Sequence, residues 1–322
     1  MPQTSLKIVF HGQNASNFRQ GFAALVGPGH HIIDLSDGLA LPGEREHYET
    51  ADVIVGIKLD AAMPRPKAVR LYHAPGAGTD AIDAALLPAQ SALCNCFGHE
   101  GAIAEYVMTA LLMRHVPLQA ADADLRQQRW TYWAGRPTAL RTELGAQTLG
   151  LLGFGHIAQA VAARAKAFGM QVVVWGSETS REKAAQHGYI PAATREAFFE
   201  QSDVISLHLR LNEATRGIVT LDDLSRMKTS AMIVNTSRAE LIEPDALISS
   251  LNRGRPGLAA IDVFEHEPIL QGHALLRLEN CICTPHIGYV EKDNYELYFG
   301  AAFDNVVNFI KGTPTNIVNP GA

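Results

Sequence analysis

The stretch "LGLLGFGHIAQAVA", residues 149–162, decides the fold. It starts as a short apolar run, turns at Gly153-Phe154-Gly155 and continues with small and apolar residues at helical spacing. A glycine in the first place permits a tight turn, and one in the second lets backbone approach a ligand. A small residue in the third, here Ala158, lets helix and strand pack closely. The free amides and positive dipole end of the following helix, which begins at His156 and Ile157, then face an anion. This spacing alone is weak evidence, because glycine is common in turns. Its context carries it: an apolar run before, a helical run after, and a second apolar run, "QVVVW" (171–175), about twenty residues on. The reading is a pyrophosphate grip centred on Gly153 and Gly155.

Outward from that turn, short Val- and Ile-rich runs recur along the chain. A first block holds them at 6–10, 31–35, 52–57, 69–73 and 92–96. A second block holds them at 148–153, 171–175, 203–209, 231–237, 258–264 and 280–285. Continuous apolar runs suit parallel strands buried on both faces, and their alternation with helical pattern predicts an α/β protein. The 322 residues suggest two domains at about 150 residues each. A helix over 99–116 bridges the blocks, and an amphipathic helix over 294–312 is predicted to pack back on the first.

Bulk properties narrow the function classes. Hydrophobic residues make up 47% and the formal net charge is −6, which disfavours a nucleic-acid-binding surface. No window of 18 apolar residues occurs, and "MPQTSLKIVF" lacks the basic and apolar regions of a signal peptide, so no membrane role and a cytoplasmic location are expected. The four cysteines form two C-x-C pairs, 94/96 and 281/283, expected to be core packing in a reducing compartment. His99-Glu100 is not a zinc helix, because Ile103 stands where a second His would be, and no metal is expected.

In an open α/β sheet, ligands bind beyond the carboxyl ends of the strands. Three successive runs of the second block deliver reactive groups just past those ends: Arg238, Glu267 and His286. A guanidinium fork grips a carboxylate or polarises a carbonyl, an imidazole exchanges a proton, and a carboxylate fixes the imidazole tautomer. Beside a nicotinamide these parts describe carbonyl reduction. A second glycine loop, "PGAGTDA" (75–81), is a poor phosphate grip, since Asp80 and Asp83 add negative charge there. The amides of Gly76, Ala77 and Gly78 suit a small carboxylate instead.

The segments "LGLLGFGHIA", "LHLRLNEATRG", "MIVNTSRAELI", "AIDVFEHEP" and "TPHIGY" resemble, in order, those of the D-isomer-specific 2-hydroxyacid dehydrogenases. The resemblance runs from about residue 74 to 312. It implies a Rossmann dinucleotide-binding domain (100–289) inserted into a flavodoxin-like substrate domain (1–99 plus 290–322), with the active site in the cleft. It implies His286 as acid/base, Glu267 as its orienting partner and Arg238 as substrate anchor. Formate dehydrogenases of the superfamily carry Gln at the place of Glu267, so Glu favours a hydroxy acid. The substrate implied is a small 2-keto or D-2-hydroxy acid, the cofactor NAD or NADP. Expected along the cofactor are Gly153, Gly155, His156, Ile157, Gly176, Ser177, Arg181, His208, Arg210, Thr236 and Asp262.

Departures from the family pattern qualify the resemblance. NAD-preferring relatives carry an acid where Gly176 stands. With Ser177, Arg181 and Arg210 nearby, and Glu178 opposing, this predicts dual or NADP-leaning use. Phosphoglycerate dehydrogenases usually carry Arg where Ala74 stands, which favours an unphosphorylated acid such as glyoxylate, hydroxypyruvate or pyruvate. "RWTYWAGRP" (129–137) is read as an arm of a homodimer through the Rossmann domain, where Trp130 or Trp133 either caps the partner's pocket or only fills the interface. The competing readings are a phosphoglycerate dehydrogenase-like enzyme and a dinucleotide-sensing, corepressor-like binding protein.

Overall fold

Each apolar run contains a strand in the computed structural model, which describes residues 5–136 and 140–319. The strands are β1 (Lys7–His11), β2 (His31–Leu35), β3 (Val53–Val55), β4 (Leu71–His73), β5 (Ala92–Cys94), β6 (Thr148–Leu152), β7 (Gln171–Trp175), β8 (Ile190–Pro191), β9 (Val204–Leu207), β10 (Met232–Asn235), β11 (Leu258–Ile261) and β12 (Cys281–Cys283). Only β8 was not legible as a run. It is two residues long, exposed, and ends in a proline that only a sheet edge tolerates.

The chain divides into two compact units, Met1–Gly98 with Glu291–Ala322, and His99–Val290. In the first, five parallel strands take the order β2-β1-β3-β4-β5, the flavodoxin-like winding. Val9, Ile54, Tyr72 and Leu93 face a core shared with Tyr48 and Leu59. On the other side the helix Lys292–Ile310 packs on β4 and on the helix Phe22–Val26. There Phe303 meets Phe22 at 4.9 Å between ring centres, and Asn305 donates to His73 Nδ1 at 3.0 Å.

In the second unit seven parallel strands take the order β12-β11-β10-β9-β6-β7-β8, a Rossmann winding with one further strand. Both faces are covered. Leu149, Leu151 and Val174 meet Ala104, Val107 and Leu111 of the helix Glu100–His115 and Ala158 and Val161 of the helix His156–Ala167. The alternate residues Leu152, Val173 and Ile205 meet Phe198, Phe199 and Leu224. Each fully buried Leu, Ile or Phe stabilises the sheet by roughly 1.5–3 kcal/mol. That continuous burial keeps the strand tips in a fixed register.

Candidate active site

Register turns the second sheet into a platform. Trp175, Leu152, Leu207, Asn235, Ile261 and Cys283 are mutual register partners across β7, β6, β9, β10, β11 and β12. The loops that follow these strands therefore leave from one row, with neighbouring strands spaced about 4.8 Å apart. Arg238, Glu267 and His286 follow β10, β11 and β12, three adjacent members of that row, so their strand tips span about 10 Å.

At the β6 tip, Gly153 has φ +92°, and a Cβ there would lie 2.6 Å from the His208 carbonyl oxygen. Only glycine fits, on conformation and on space. Its N–H donates to Trp175 O at 2.8 Å. Nothing lies within 4 Å of where a Cβ on Gly155 would be, and no side chain caps the helix that Gly155 begins. The turn thus offers open space and uncapped amides to an anion. Beside it, His156 Nδ1 lies 3.5 Å from Glu100, and Ile157 is half-buried.

The β7 tip carries Gly176, with φ +155°. A Cβ on it would meet Ser180 Cβ at 3.3 Å and Gly153 Cα at 3.5 Å, so the missing acid would be tight as well as strained. Ser177 caps the next helix, Glu178–Gln186, by accepting from Ser180 N at 3.2 Å. The Arg181 guanidinium lies 4.9 Å over the Trp175 ring, and its Nε is shielded from solvent with no hydrogen-bond partner. Arg210 is exposed, and its carbonyl accepts from the Thr215 hydroxyl at 2.6 Å.

The next tips leave polar atoms unpartnered. Both ring nitrogens of His208, just past β9, are shielded and unbonded, and burial pushes this imidazole down to about 3. It is neutral at neutral pH. Past β10, the buried Thr236 hydroxyl also lacks a partner. Shielded polar atoms without partners also occur elsewhere, as at Tyr48 and Ser250, but beside the glycine turn these suit a polar ligand such as NAD or NADP.

Asp262 behaves differently. Its carboxylate accepts from Thr284 Oγ1 (2.6 Å), Ile287 N (2.8 Å) and Gly288 N (2.8 Å), so both oxygens are engaged by the loop that carries His286. The Tyr106 hydroxyl, from the helix Glu100–His115, extends this chain to Thr284 Oγ1 at 2.6 Å. Burial pushes the Tyr106 phenol up to about 12, which keeps it protonated.

Within that frame sits the His286–Glu267 pair. His286 Nδ1 lies 2.8 Å from Glu267 Oε2, and Glu267 Oε1 accepts from Phe264 N at 2.9 Å. The carboxylate is thereby held at both oxygens, and the Nδ1–H tautomer leaves Nε2 for a reacting group. His286 has φ +54°, a left-handed conformation that costs on the order of 1–3 kcal/mol for a non-glycine residue. The Asp262 bonds to the next two amides offset that strain.

Arg238 is also built in. Asn235 is buried, donates from Nδ2 to Arg238 O at 2.8 Å and accepts from Ser237 N at 3.0 Å. Arg238 Nη1 donates to Ser237 O at 2.7 Å. Asn235, Tyr106 and Thr284 are supports that sequence reasoning missed, because ordinary polar residues reveal such roles only once strand register is known.

In the first unit, the loop Gly76-Ala77-Gly78 follows β4. Gly76 donates its N–H to Ala74 O at 2.9 Å, and Asn95 Nδ2 donates to Ala77 O at 2.8 Å. Gly76 N–H is therefore spent within the turn, and Ala77 and Gly78 are the loop's candidate donors. Among the described residues no group of three or more His, Cys, Asp or Glu could hold a metal, and no helix is long and apolar enough to cross a membrane. Trp130 and Trp133 are 68% and 50% exposed, and Pro137, which ends their segment, lies outside the described residues.

Comparison with known proteins gives a consistent set of relatives. Residues 108–288 match the family model for the D-isomer specific 2-hydroxyacid dehydrogenase, NAD binding domain. The chain is 29% identical to a hydroxypyruvate reductase of Blautia hydrogenotrophica over 81% of its own length and 74% of the relative's. It is 33% identical to a glyoxylate reductase of Korarchaeum cryptofilum over 67% of its length and 65% of the relative's. A crystal structure of a phosphoglycerate oxidoreductase from Vibrio cholerae O395 superposes with a TM-score of 0.76 at 36% identity, covering 96% of this chain and 100% of that one.

Proposed function

Because the chain belongs to the D-isomer specific 2-hydroxyacid dehydrogenase family, we propose that it reduces a small 2-keto acid with a nicotinamide cofactor, reversibly, with His286 as acid/base. The observation that carries this reading is the His286–Glu267 contact of 2.8 Å, on a loop two strands from the one that bears Arg238.

Gly153, Gly155, His208 and Thr236 are the residues assigned to hold the cofactor, which supplies or takes the hydride when bound. Arg238 grips the substrate carboxylate and carbonyl oxygen by a guanidinium fork. In reduction His286 Nε2 donates its proton to the C2 oxygen as that oxygen gains charge, and in oxidation it takes the proton back. Glu267 holds the ring by Nδ1. Asp262 is a positioning residue for the His286 loop in this reading. In the first unit, the Ala77 and Gly78 amides suit a small carboxylate.

The substrate class we propose is an unphosphorylated acid of the glyoxylate or hydroxypyruvate type, as for the two named reductases. Two observations support it against a phosphorylated one. Ala74 is 1% exposed, and Lys58, the cation past the neighbouring β3 tip, is neutralised by Asp60 at 3.0 Å. For the cofactor we propose dual or NADP-leaning use, supported by Gly176, the Ser177 hydroxyl and Arg181. Exposed Leu118, Leu125, Trp130, Trp133 and Leu140 support a homodimer surface in the second unit. Four free thiols support a reducing, cytoplasmic setting.

The test is turnover of a panel of 2-keto acids, phosphorylated and not, with NADH and with NADPH. Measurable kcat/KM for glyoxylate or hydroxypyruvate is expected. Absence of turnover across the panel overturns the reading, and a preference for NADH above about 100-fold, or 2.7 kcal/mol, overturns the lean toward NADP.

A further inference from the structure

Cys281 and Cys283 have no part in the site described above. Both lie on β12, the edge strand, which pairs with β11 on one side only. Residues two apart on a strand share a face, and here the sulfur atoms are 3.6 Å apart. An extended strand separates such Cα atoms by about 6.6–6.8 Å, the upper end of what a disulfide spans. A three-residue edge strand can contract to bring them within range. Both residues are half-buried, unlike Cys94 on β5 and Cys96 just past it, which are fully buried. Cys94 and Cys96 are core residues as expected, and Cys281 and Cys283 pack, partly buried, against the core of the second unit.

We propose that Cys281 and Cys283 form an oxidisable dithiol, a modification site that consumes a hydroperoxide and closes into a disulfide across β12. A hydrogen bond from the Cys281 thiol holds the Cys283 thiol below its ordinary value, against burial, while that contact and burial push Cys281 up. With Cys283 as the nucleophile Cys281 is the resolving thiol, and the same disulfide closes with the roles exchanged, since either thiol can donate in the contact. The Cys283 thiolate attacks a peroxide oxygen, the O–O bond breaks, and a sulfenic acid and one water form. Cys281 sulfur then attacks Cys283 sulfur, the S–O bond breaks, and the departing hydroxide takes the Cys281 proton as a second water. Two thiols lose two electrons, and one hydrogen peroxide becomes two waters.

The disulfide also acts on the neighbouring loop. Thr284 follows Cys283 directly, donates its N–H to Ile261 O at 3.0 Å and joins Asp262 to Tyr106 through its hydroxyl. Contraction of β12 pulls on each of these bonds and so displaces the loop that carries His286. This second half rests on the proposed reductase reading; the disulfide itself does not.

The test treats the full chain with hydrogen peroxide, blocks remaining thiols and maps peptides by mass. A 281–283 peptide lighter by two hydrogens and restored by dithiothreitol is expected, and in Cys281→Ser a dimedone adduct on Cys283 replaces it. Turnover is expected to fall at least about tenfold in the oxidised protein, because a shift of about 1 Å at a positioned group costs up to 10²-fold. Dithiothreitol restores that turnover, and the Cys281→Ser, Cys283→Ser double variant does not lose it. Both thiols remaining unoxidised, or disulfides forming only between copies of the chain, overturns the proposal. A closed disulfide with unchanged kcat overturns the coupling to His286. Untreated protein that turns nothing over refutes the reductase reading instead, while the mass map still reads the disulfide.

Discussion

The two halves of the Rossmann sheet are finished differently. Past β7, β9 and β10, shielded polar atoms are left without a partner: Arg181 Nε, both nitrogens of His208 and the Thr236 hydroxyl. Past β11 and β12, Asp262 holds three donors and Glu267 holds Phe264 N and His286. An unpartnered buried polar atom costs roughly 1–3 kcal/mol, which a ligand can recover. A saturated network has nothing to recover and instead holds geometry. One half is built to be completed by what binds, and the other is complete before binding.

That contrast can be broken from either side. Among the supporting residues, the largest effect is expected from Asp262→Ala, which removes the acceptor for two amides and a hydroxyl under the His286 loop. We expect kcat to fall about 10²-fold, as for misplaced catalytic groups, with cofactor affinity changed far less. Steady-state kinetics with a cofactor titration checks it; equal losses in both would merge the two halves.

From the open side, NADPH or NADH at about 100 times its dissociation constant is expected to add about 2.7 kcal/mol of stability. Amide exchange should slow at the tips of β6, β9 and β10 and change little at 284–288. Uniform protection across the sheet would erase the distinction.

Acid sharpens it further. Burial pushes His208 down to about 3 and His73, buried in the first unit, to about 4. Both fold as neutral rings, so below the ordinary imidazole value of about 6.5 the unfolded chain takes up protons that the folded chain refuses. Stability is then full above pH about 6.5 and falls as pH drops toward 4, by about 1.4 kcal/mol per pH unit for each ring. Bound cofactor should reduce the His208 share. Thermal midpoints against pH, with and without cofactor, read this, and a flat profile would remove it.

The smallest effect is expected from Tyr106→Phe, which deletes one hydroxyl from the outer end of the Asp262 chain. A loss of about 1 kcal/mol in stability and a few-fold in kcat should follow. A larger kinetic loss would mean that the phenol touches substrate.

How much of this was legible depends on the kind of signal. The sheets were, because strands buried on both faces leave unbroken apolar runs such as "VISL" and "MIVN". The placement of Arg238, Glu267 and His286 past successive strand ends was, because reactive groups there stand out even without coordinates. Asp262 was expected along the cofactor, and its bonds to the His286 loop were not visible, since they depend on β11 and β12 being neighbours. Tyr106 and Asn235 gave no signal, because a hydroxyl and an amide in apolar surroundings read as ordinary packing. The edge position of β12, and so of the Cys281–Cys283 pair, could not be inferred, because no sequence period tells an edge strand from a central one.

The central claim is that the completed half does the proton chemistry and the open half holds the cofactor. His286→Ala tests it most directly, through kcat with the best 2-keto acid and cofactor affinity by fluorescence on the same preparation. We expect kcat to fall by about 10²–10⁴-fold with cofactor affinity close to wild type. Unchanged turnover, or a matching loss of cofactor binding, would contradict the account.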